Sequence, residues 1–141
     1  YSLLSQHKRF IEDSKKDKFI SKYMKWIGHT EFGPNYIPIH YKNLRFEDNM
    51  NINHWLEQWY LTYKHCYENL KNNENIHFIC YEKLCNSSEY WSNVLHTLNI
   101  KEKYDFEFTE SNKVISLEMD KDIITKELLL YEELSQFSLH G

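Results

Sequence analysis

A histidine and a carboxylate lie two residues apart where a predicted helix ends and a long loop begins. His29 directly follows Gly28, and Glu31 completes the pair. An imidazole changes its charge near neutral pH, so it is well suited to accept a proton from a hydroxyl group. His29 is therefore a candidate general base that Glu31 could orient. The alternative is a histidine that caps the helix end, with Glu31 in solvent.

A tyrosine at the end of a short apolar run is the second candidate. Residues 76–81 read IHFICY, a segment rich in β-forming residues and bounded by polar ones, which predicts a strand. Its near-continuous apolarity favours coverage of both faces, as in a parallel sheet. Open α/β sheets bind ligands at the carboxyl ends of their strands, which is where Tyr81 lies. The alternative is a core tyrosine packed on the Trp55 and Trp59 helix. Glu82 is expected to start the next helix.

Composition argues against several classes of function. The net charge of −4 disfavours binding to a nucleic-acid backbone. The histidines show no tight metal-ligand spacing, and the three cysteines (Cys66, Cys80 and Cys85) include no C-x-x-C pair, so we expect no metal and reduced thiols. No secretory signal and no apolar run of about 18 residues is visible. We therefore expect a cytoplasmic protein without a membrane span.

Helices are predicted to position these candidates. Apolar residues at spacings of three and four predict five of them, over residues 1 to about 13, 17 to about 27, 51 to about 72, 87 or 88 to about 98, and 120 to about 137. Asp17, Asn51 or Asn53, and Ser87 or Ser88 are suitable N-caps. In the second helix, one apolar face is expected to pack, comprising Phe19, Ile20, Tyr23, Met24 and Ile27. Residues 104–117 are expected to be irregular.

The segment from Glu31 to Met50 is predicted to be long and irregular. Loops of this length in compact domains are usually functional or disordered, and the aromatic content of this one favours order. Phe32, Tyr36 and Tyr41 are candidates for the lining of a substrate pocket. A packed loop without a ligand is the alternative.

A single strand cannot satisfy the hydrogen bonds of its own edges. We therefore expect the 76–81 strand to pair with strands outside this chain or with another chain, which leaves a homo-oligomer open. The sequence also starts without Met and inside a helical pattern. These features predict that 141 residues form about half of a larger α/β domain.

Several segments, taken in order, resemble the C-terminal portion of the sulfotransferases, of the bacterial and marine type. The strand and turn IHFICYEKL, followed by the helix SSEYWSNVLHTLNI, resemble the family's strand with a Tyr-Glu-Asp-Leu-like end and the helix after it. WLEQWYLTY resembles the family's long Trp-rich helix, and YSLLSQHKRF the helix after its Arg-(Asp/Asn)-Pro step. WIGHTEFGP resembles a lid insertion, and LLLYEELSQF the closing helix.

The resemblance implies a P-loop-type parallel sheet with flanking helices, of which residues 1–141 would be a mostly helical C-terminal portion with one core strand. It implies transfer of a sulfonyl group from 3′-phosphoadenosine 5′-phosphosulfate to a hydroxyl or amine of a small-molecule or carbohydrate acceptor. Ser2 would contact the 3′-phosphate, Tyr81 would line the adenine site, and His29 would be the base. The alternative is that Ser2 lies on the surface of a helix and contacts no phosphate.

The phosphate-binding loop that the family requires is absent from this sequence, which has three glycines in total. The resemblance therefore implies that this chain supplies the adenosine-side wall and the acceptor lid. A non-enzymatic helical interaction module, or a degenerate nucleotide-binding member of the family, is the alternative.

Overall fold

The computed structural model describes residues 1–101, 107–110 and 116–139. Its helices are α1 (Ser2–Lys16), α2 (Lys18–Trp26), α3 (Ile52–Leu70), α4 (Tyr81–Asn86), α5 (Ser88–Thr97) and α6 (Lys121–Phe137). The chain divides into two compact units. The first comprises Tyr1–Tyr63 with Ile115–Glu127, and the second comprises Lys64–Val114 with Leu128–Gly141. Most of the predicted irregular segment 104–117 lies outside the described residues.

Side-chain caps begin four of the helices, and three of these caps confirm predictions. The Asp17 carboxylate accepts a hydrogen bond from the Phe19 N–H (2.7 Å) at the start of α2. Asn51 caps α3 through the Asn53 N–H (2.9 Å), and the Ser87 hydroxyl caps α5 through the Tyr90 N–H (3.0 Å). The Asp120 carboxylate, which precedes α6, accepts bonds from the N–H groups of residues 122 and 123.

Gly28 ends α2, as its position in the sequence predicts. Its φ of +68° lies in the left-handed region that favours glycine. The Gly28 N–H bonds to the Lys25 carbonyl (3.2 Å), and the His29 N–H bonds to the Met24 carbonyl (3.0 Å). This pair of bonds is a Schellman motif, which satisfies the last carbonyls of the helix.

The predicted fold class is wrong for the part of the chain that the structure describes, because those residues contain six helices and no strand or sheet. In the segment predicted as the core strand, 76–81, residues 76–80 form neither helix nor strand, and Tyr81 already begins α4. Within the described part of the chain, its backbone bond to a distant segment joins the Leu139 N–H to the Phe78 carbonyl (3.1 Å). Ile79 is exposed. A strand needs a neighbour to form a ladder, and continuous apolarity does not supply one.

The core of the first unit forms between α1 and the start of α3. Leu4, Ile52 and Trp55 are buried together. The partly buried residues packed against them are Phe32, Tyr36, Leu56, Leu117 and Met119. Among the described residues of the second unit, those that are apolar and buried include Cys80, Tyr90, Val94, Leu130 and Leu134.

The predicted packing face of α2 is mostly in solvent. Met24 is the buried residue of this helix, whereas Phe19, Tyr23 and Ile27 are exposed. The prediction that this apolar face packs is therefore wrong for most of its residues. Among the described residues, no helix has the length and apolarity needed to cross a membrane.

Candidate functional site

Side chains from the first two turns of α3 hold the long loop between α2 and α3. The Glu57 carboxylate is only 9 % exposed and accepts backbone N–H bonds from Arg45 (3.0 Å) and Phe46 (2.9 Å). The Gln58 amide pairs with both backbone groups of His40, at 3.0 Å and 2.7 Å. Buried backbone groups must be paired, and here helix side chains provide the partners that a sheet would otherwise provide. The loop is therefore ordered, as its composition predicts.

His7 on α1 fixes the loop at Gly33. The Gly33 N–H donates to His7 Nδ1 (3.1 Å), so the ring hydrogen is on Nε2, which lies 3.2 Å from the Asn49 side-chain oxygen. The ring is buried, and this burial lowers the pKa of His7. A second proton on the ring would bind to Nδ1, where it would face the Gly33 N–H, which is also a donor. His7 is therefore a structural residue in its unprotonated form.

Tyr36 is bonded to a second buried histidine. His54 Nδ1 lies 2.7 Å from the Phe46 carbonyl and therefore carries the hydrogen, so Nε2 accepts from the Tyr36 hydroxyl (2.8 Å). Burial raises the pKa of Tyr36 to about 12. The Tyr36 ring also packs on Trp55, with ring centroids 4.9 Å apart. These contacts favour the packed-loop interpretation for Tyr36.

The other two candidate pocket residues have different environments. The Phe32 ring packs on the Phe10 ring (5.0 Å between centroids) and on the His29 ring (4.5 Å). Tyr41 is 69 % exposed, with the Lys42 ammonium 5.7 Å from its ring centroid. The structure therefore groups Phe32 with His29, whereas Tyr36 contacts the buried His7 and His54 and Tyr41 lies at the surface. We call Tyr36, His7 and His54 the histidine cluster.

His29 is packed between rings and faces one carboxylate. Its Nε2 lies 3.5 Å from Glu31 Oε2, and its ring stacks on Phe10 at 5.7 Å. Nδ1 is buried and has no hydrogen-bond partner in the described part of the chain. The negative charge of Glu31 favours the ring hydrogen on Nε2, the nearer nitrogen, and this leaves the Nδ1 lone pair as the basic site. That nitrogen becomes reachable for a substrate hydroxyl only if the adjacent aromatic side chains move.

In the second unit, Tyr81 is the first residue of α4, at the corner where the irregular segment 76–80 meets this helix. The Tyr90 hydroxyl holds this corner by accepting the Cys80 N–H bond (3.0 Å). Tyr81 is 51 % exposed, and its hydroxyl donates to the Thr109 carbonyl (3.1 Å). Its ring meets the Phe108 ring edge-on (6.1 Å), and Phe108 meets Trp91 (5.3 Å). We call Tyr81, Trp91 and Phe108 the aromatic corner.

Glu82, next to Tyr81, has a structural role. Its carboxylate accepts a bond from the Tyr131 hydroxyl (2.7 Å) and one from the Cys80 thiol (3.4 Å). Burial acts to raise the pKa of Glu82, but the bond from Tyr131 and the other hydrogen bonds outweigh it and lower this pKa. The pKa of Tyr131 is raised by burial and by the same bonds. Glu82 therefore ties the first turn of α4 to α6 as a carboxylate.

Lys83 makes a second connection between α4 and the end of α6. Its ammonium donates to the Ser135 carbonyl (2.6 Å) and to the Ser138 hydroxyl (2.8 Å), and lies 5.6 Å from the Tyr90 ring centroid. With Glu82, it fixes the helix that carries Tyr81. The sequence offered no spacing signal for either link, because each partner lies about 50 residues away.

Ser2 is an exposed residue in the first turn of α1. It belongs to the first unit with His29, and Tyr81 belongs to the second unit. In the part of the chain that the structure describes, no group of three or more His, Cys, Asp or Glu side chains is arranged to hold a metal ion. The three cysteines are free thiols.

The histidine cluster and the Glu57 and Gln58 links were missed by sequence reasoning. A usable signal was present: Asn53, His54, Glu57 and Gln58 interrupt the apolar face of the first two turns of α3. Buried polar residues at helical spacing indicate backbone partners from another segment. Comparison with known proteins gives no further guide, because no family model, curated protein or solved structure matches the chain.

Proposed function

We propose that this chain supplies the adenosine-side wall and acceptor lid of a sulfotransferase, which transfers a sulfonyl group from 3′-phosphoadenosine 5′-phosphosulfate to a hydroxyl or amine. The order of the resembling segments supports the assignment of the reaction. The proposal does not depend on a sheet within the described residues. It requires an aromatic surface that contacts the adenine ring and a general base that takes the proton of the acceptor.

The observation that carries the proposal is the exposure of Tyr81 in the aromatic corner. A buried tyrosine would have favoured the core interpretation, but half of this side chain is accessible. The bond to Thr109 and the edge contact with Phe108 hold the ring in one orientation. Stacking of an oriented, accessible ring on a nucleobase contributes about 1–3 kcal/mol to the free energy of binding.

In the proposed reaction the acceptor oxygen attacks sulfur, and the bond between sulfur and the phosphate oxygen breaks. The leaving group is 3′-phosphoadenosine 5′-phosphate. After the Phe10 and Phe32 side chains move aside, His29 Nδ1 takes the proton of the acceptor hydroxyl. Glu31 stabilises the resulting imidazolium from 3.5 Å. Positioning of the reactants and neutralisation of charge supply most of the rate enhancement in the analogous phosphoryl transfer.

Binding of 3′-phosphoadenosine 5′-phosphate, measured by calorimetry, tests the adenosine-side assignment. Tyr81→Ala should weaken binding about 5- to 150-fold, which corresponds to the loss of one stacked base. Tyr81→Phe keeps the ring and should retain most of the affinity. Tyr63→Ala, which removes another partly exposed tyrosine, is the matched control. Equal affinity of the Tyr81→Ala variant and the unmodified chain, with unchanged circular dichroism, would contradict the proposal.

A helical interaction module is the second candidate, favoured by the finding that the described residues form helices and no sheet. The same titration separates the two functions. A chain that acts only as an interaction module should bind 3′-phosphoadenosine 5′-phosphate no better than adenosine.

A further inference from the structure

Helix α2 exposes a row of large apolar side chains. Phe19 is 70 % exposed and Trp26 is 81 % exposed, and Tyr23 lies between them with about half of its surface in solvent. The rings contact each other, with centroids 5.9 Å apart for Phe19 and Tyr23 and 6.1 Å apart for Tyr23 and Trp26. Contiguous exposed aromatic rings of this kind mark an interaction surface.

A row of lysines lies beside the aromatic row. At 100° per residue, Lys18, Lys22 and Lys25 fall within about 60° of each other on the helix, next to the aromatic residues. None of the three forms an ion pair within the described residues. Residues 15–26 read KKDKFISKYMKW, with five lysines and one aspartate, in a chain whose net charge is −4. The positive charge is therefore concentrated at this helix.

The face is held rigidly. The Asp17 cap fixes the start of α2, and the Schellman motif at Gly28 fixes its end. Met24, on the opposite side, is buried. The aromatic side chains are therefore exposed by the way the helix packs, and they present a preformed surface.

We infer that α2 is an interfacial helix that binds the surface of an anionic lipid bilayer. Aromatic rings enter the boundary between headgroups and acyl chains, and adjacent lysines extend to the lipid phosphates. The local positive charge in an acidic chain is complementary to such a surface. A protein partner fits less well, because lysine is depleted from the centre of protein interfaces. This inference is independent of the proposed sulfonyl transfer.

Co-sedimentation with vesicles tests the inference on the full chain. We expect binding to vesicles of phosphatidylcholine with about 30 % phosphatidylserine, and about tenfold weaker binding to phosphatidylcholine alone. Trp26→Ser should weaken binding to the anionic vesicles about tenfold, and K22E/K25E should remove the preference for anionic lipid. Leu129→Ser removes a similarly exposed apolar side chain from α6 and should bind as the unmodified chain does.

Three results would overturn the inference. One is the absence of binding to anionic vesicles, and another is binding that Trp26→Ser and Leu129→Ser reduce equally. The third is a dimer, seen by light scattering, that Trp26→Ser dissociates while vesicle binding is absent. That last result would assign the face to a protein interface instead.

Discussion

Replacement of Glu57 by glutamine should release the loop that carries the candidate substrate residues. The carboxylate accepts two backbone N–H bonds, at 3.0 Å and 2.9 Å, in a buried site. Hydrogen bonds to a charged group contribute about 1.5–3 kcal/mol each, and an unpaired buried donor costs about 1–3 kcal/mol. The glutamine oxygen keeps one bond, but its NH₂ group faces the other N–H. We expect Glu57→Gln to lower the free energy of unfolding by about 2–4 kcal/mol.

Urea unfolding, followed by tryptophan fluorescence and circular dichroism, measures this change. Glu68→Gln is the matched control on the same helix, because Glu68 is exposed and lies 3.8 Å from the Lys64 ammonium. A surface pair of this kind contributes about 0–1 kcal/mol. A Glu57→Gln effect no larger than that of Glu68→Gln would refute the argument that α3 holds the loop.

Two further predictions concern the same loop. The pKa of His7 is lowered in the folded chain, so the unfolded chain gains a proton first as the pH falls below about 6.5, and stability is lost from there downward. Glu127, whose pKa is raised to about 7, changes the stability in the opposite direction as the pH falls. The urea midpoints of the unmodified chain and of His7→Gln are therefore compared at each pH, and their difference should shrink as the pH falls from about 7.5 to about 5.5. A constant difference would argue against a buried, unprotonated His7. Gly33→Ala should cost more stability than Gly28→Ala, although both glycines have a positive φ. A Cβ at Gly33 would lie 3.1 Å from Phe10 Cβ, whereas a Cβ at Gly28 would meet no atom within 4 Å. Equal losses of stability in urea unfolding would count against this close packing at Gly33.

Local signals in the sequence were sufficient to place most helices. Asp17, Asn51 and Ser87 cap helices where predicted, because capping requires only neighbours in the chain. Gly28 ends α2 for the same reason. The strand prediction over 76–81 failed because a strand is defined by a partner, and apolarity alone cannot show whether one is present.

The environment of the candidate residues could not be derived in the same way. The orientation of Tyr81 depends on Thr109 and Phe108, and the burial of His29 depends on Phe10. All of these are contacts between distant positions. The face of α2 shows a related limit: helical periodicity identified its apolar residues correctly but cannot tell whether a face meets the core or solvent.

The proposed stacking of Tyr81 on the adenine ring can be observed by saturation-transfer NMR on a mixture of the chain and 3′-phosphoadenosine 5′-phosphate. If Tyr81 stacks on the adenine ring, we expect strong transfer to the adenine protons, weaker transfer to the ribose protons, and loss of the adenine signal in Tyr81→Ala but not in Tyr81→Phe. Adenine transfer that is absent from the unmodified chain, or unchanged in Tyr81→Ala, would contradict it.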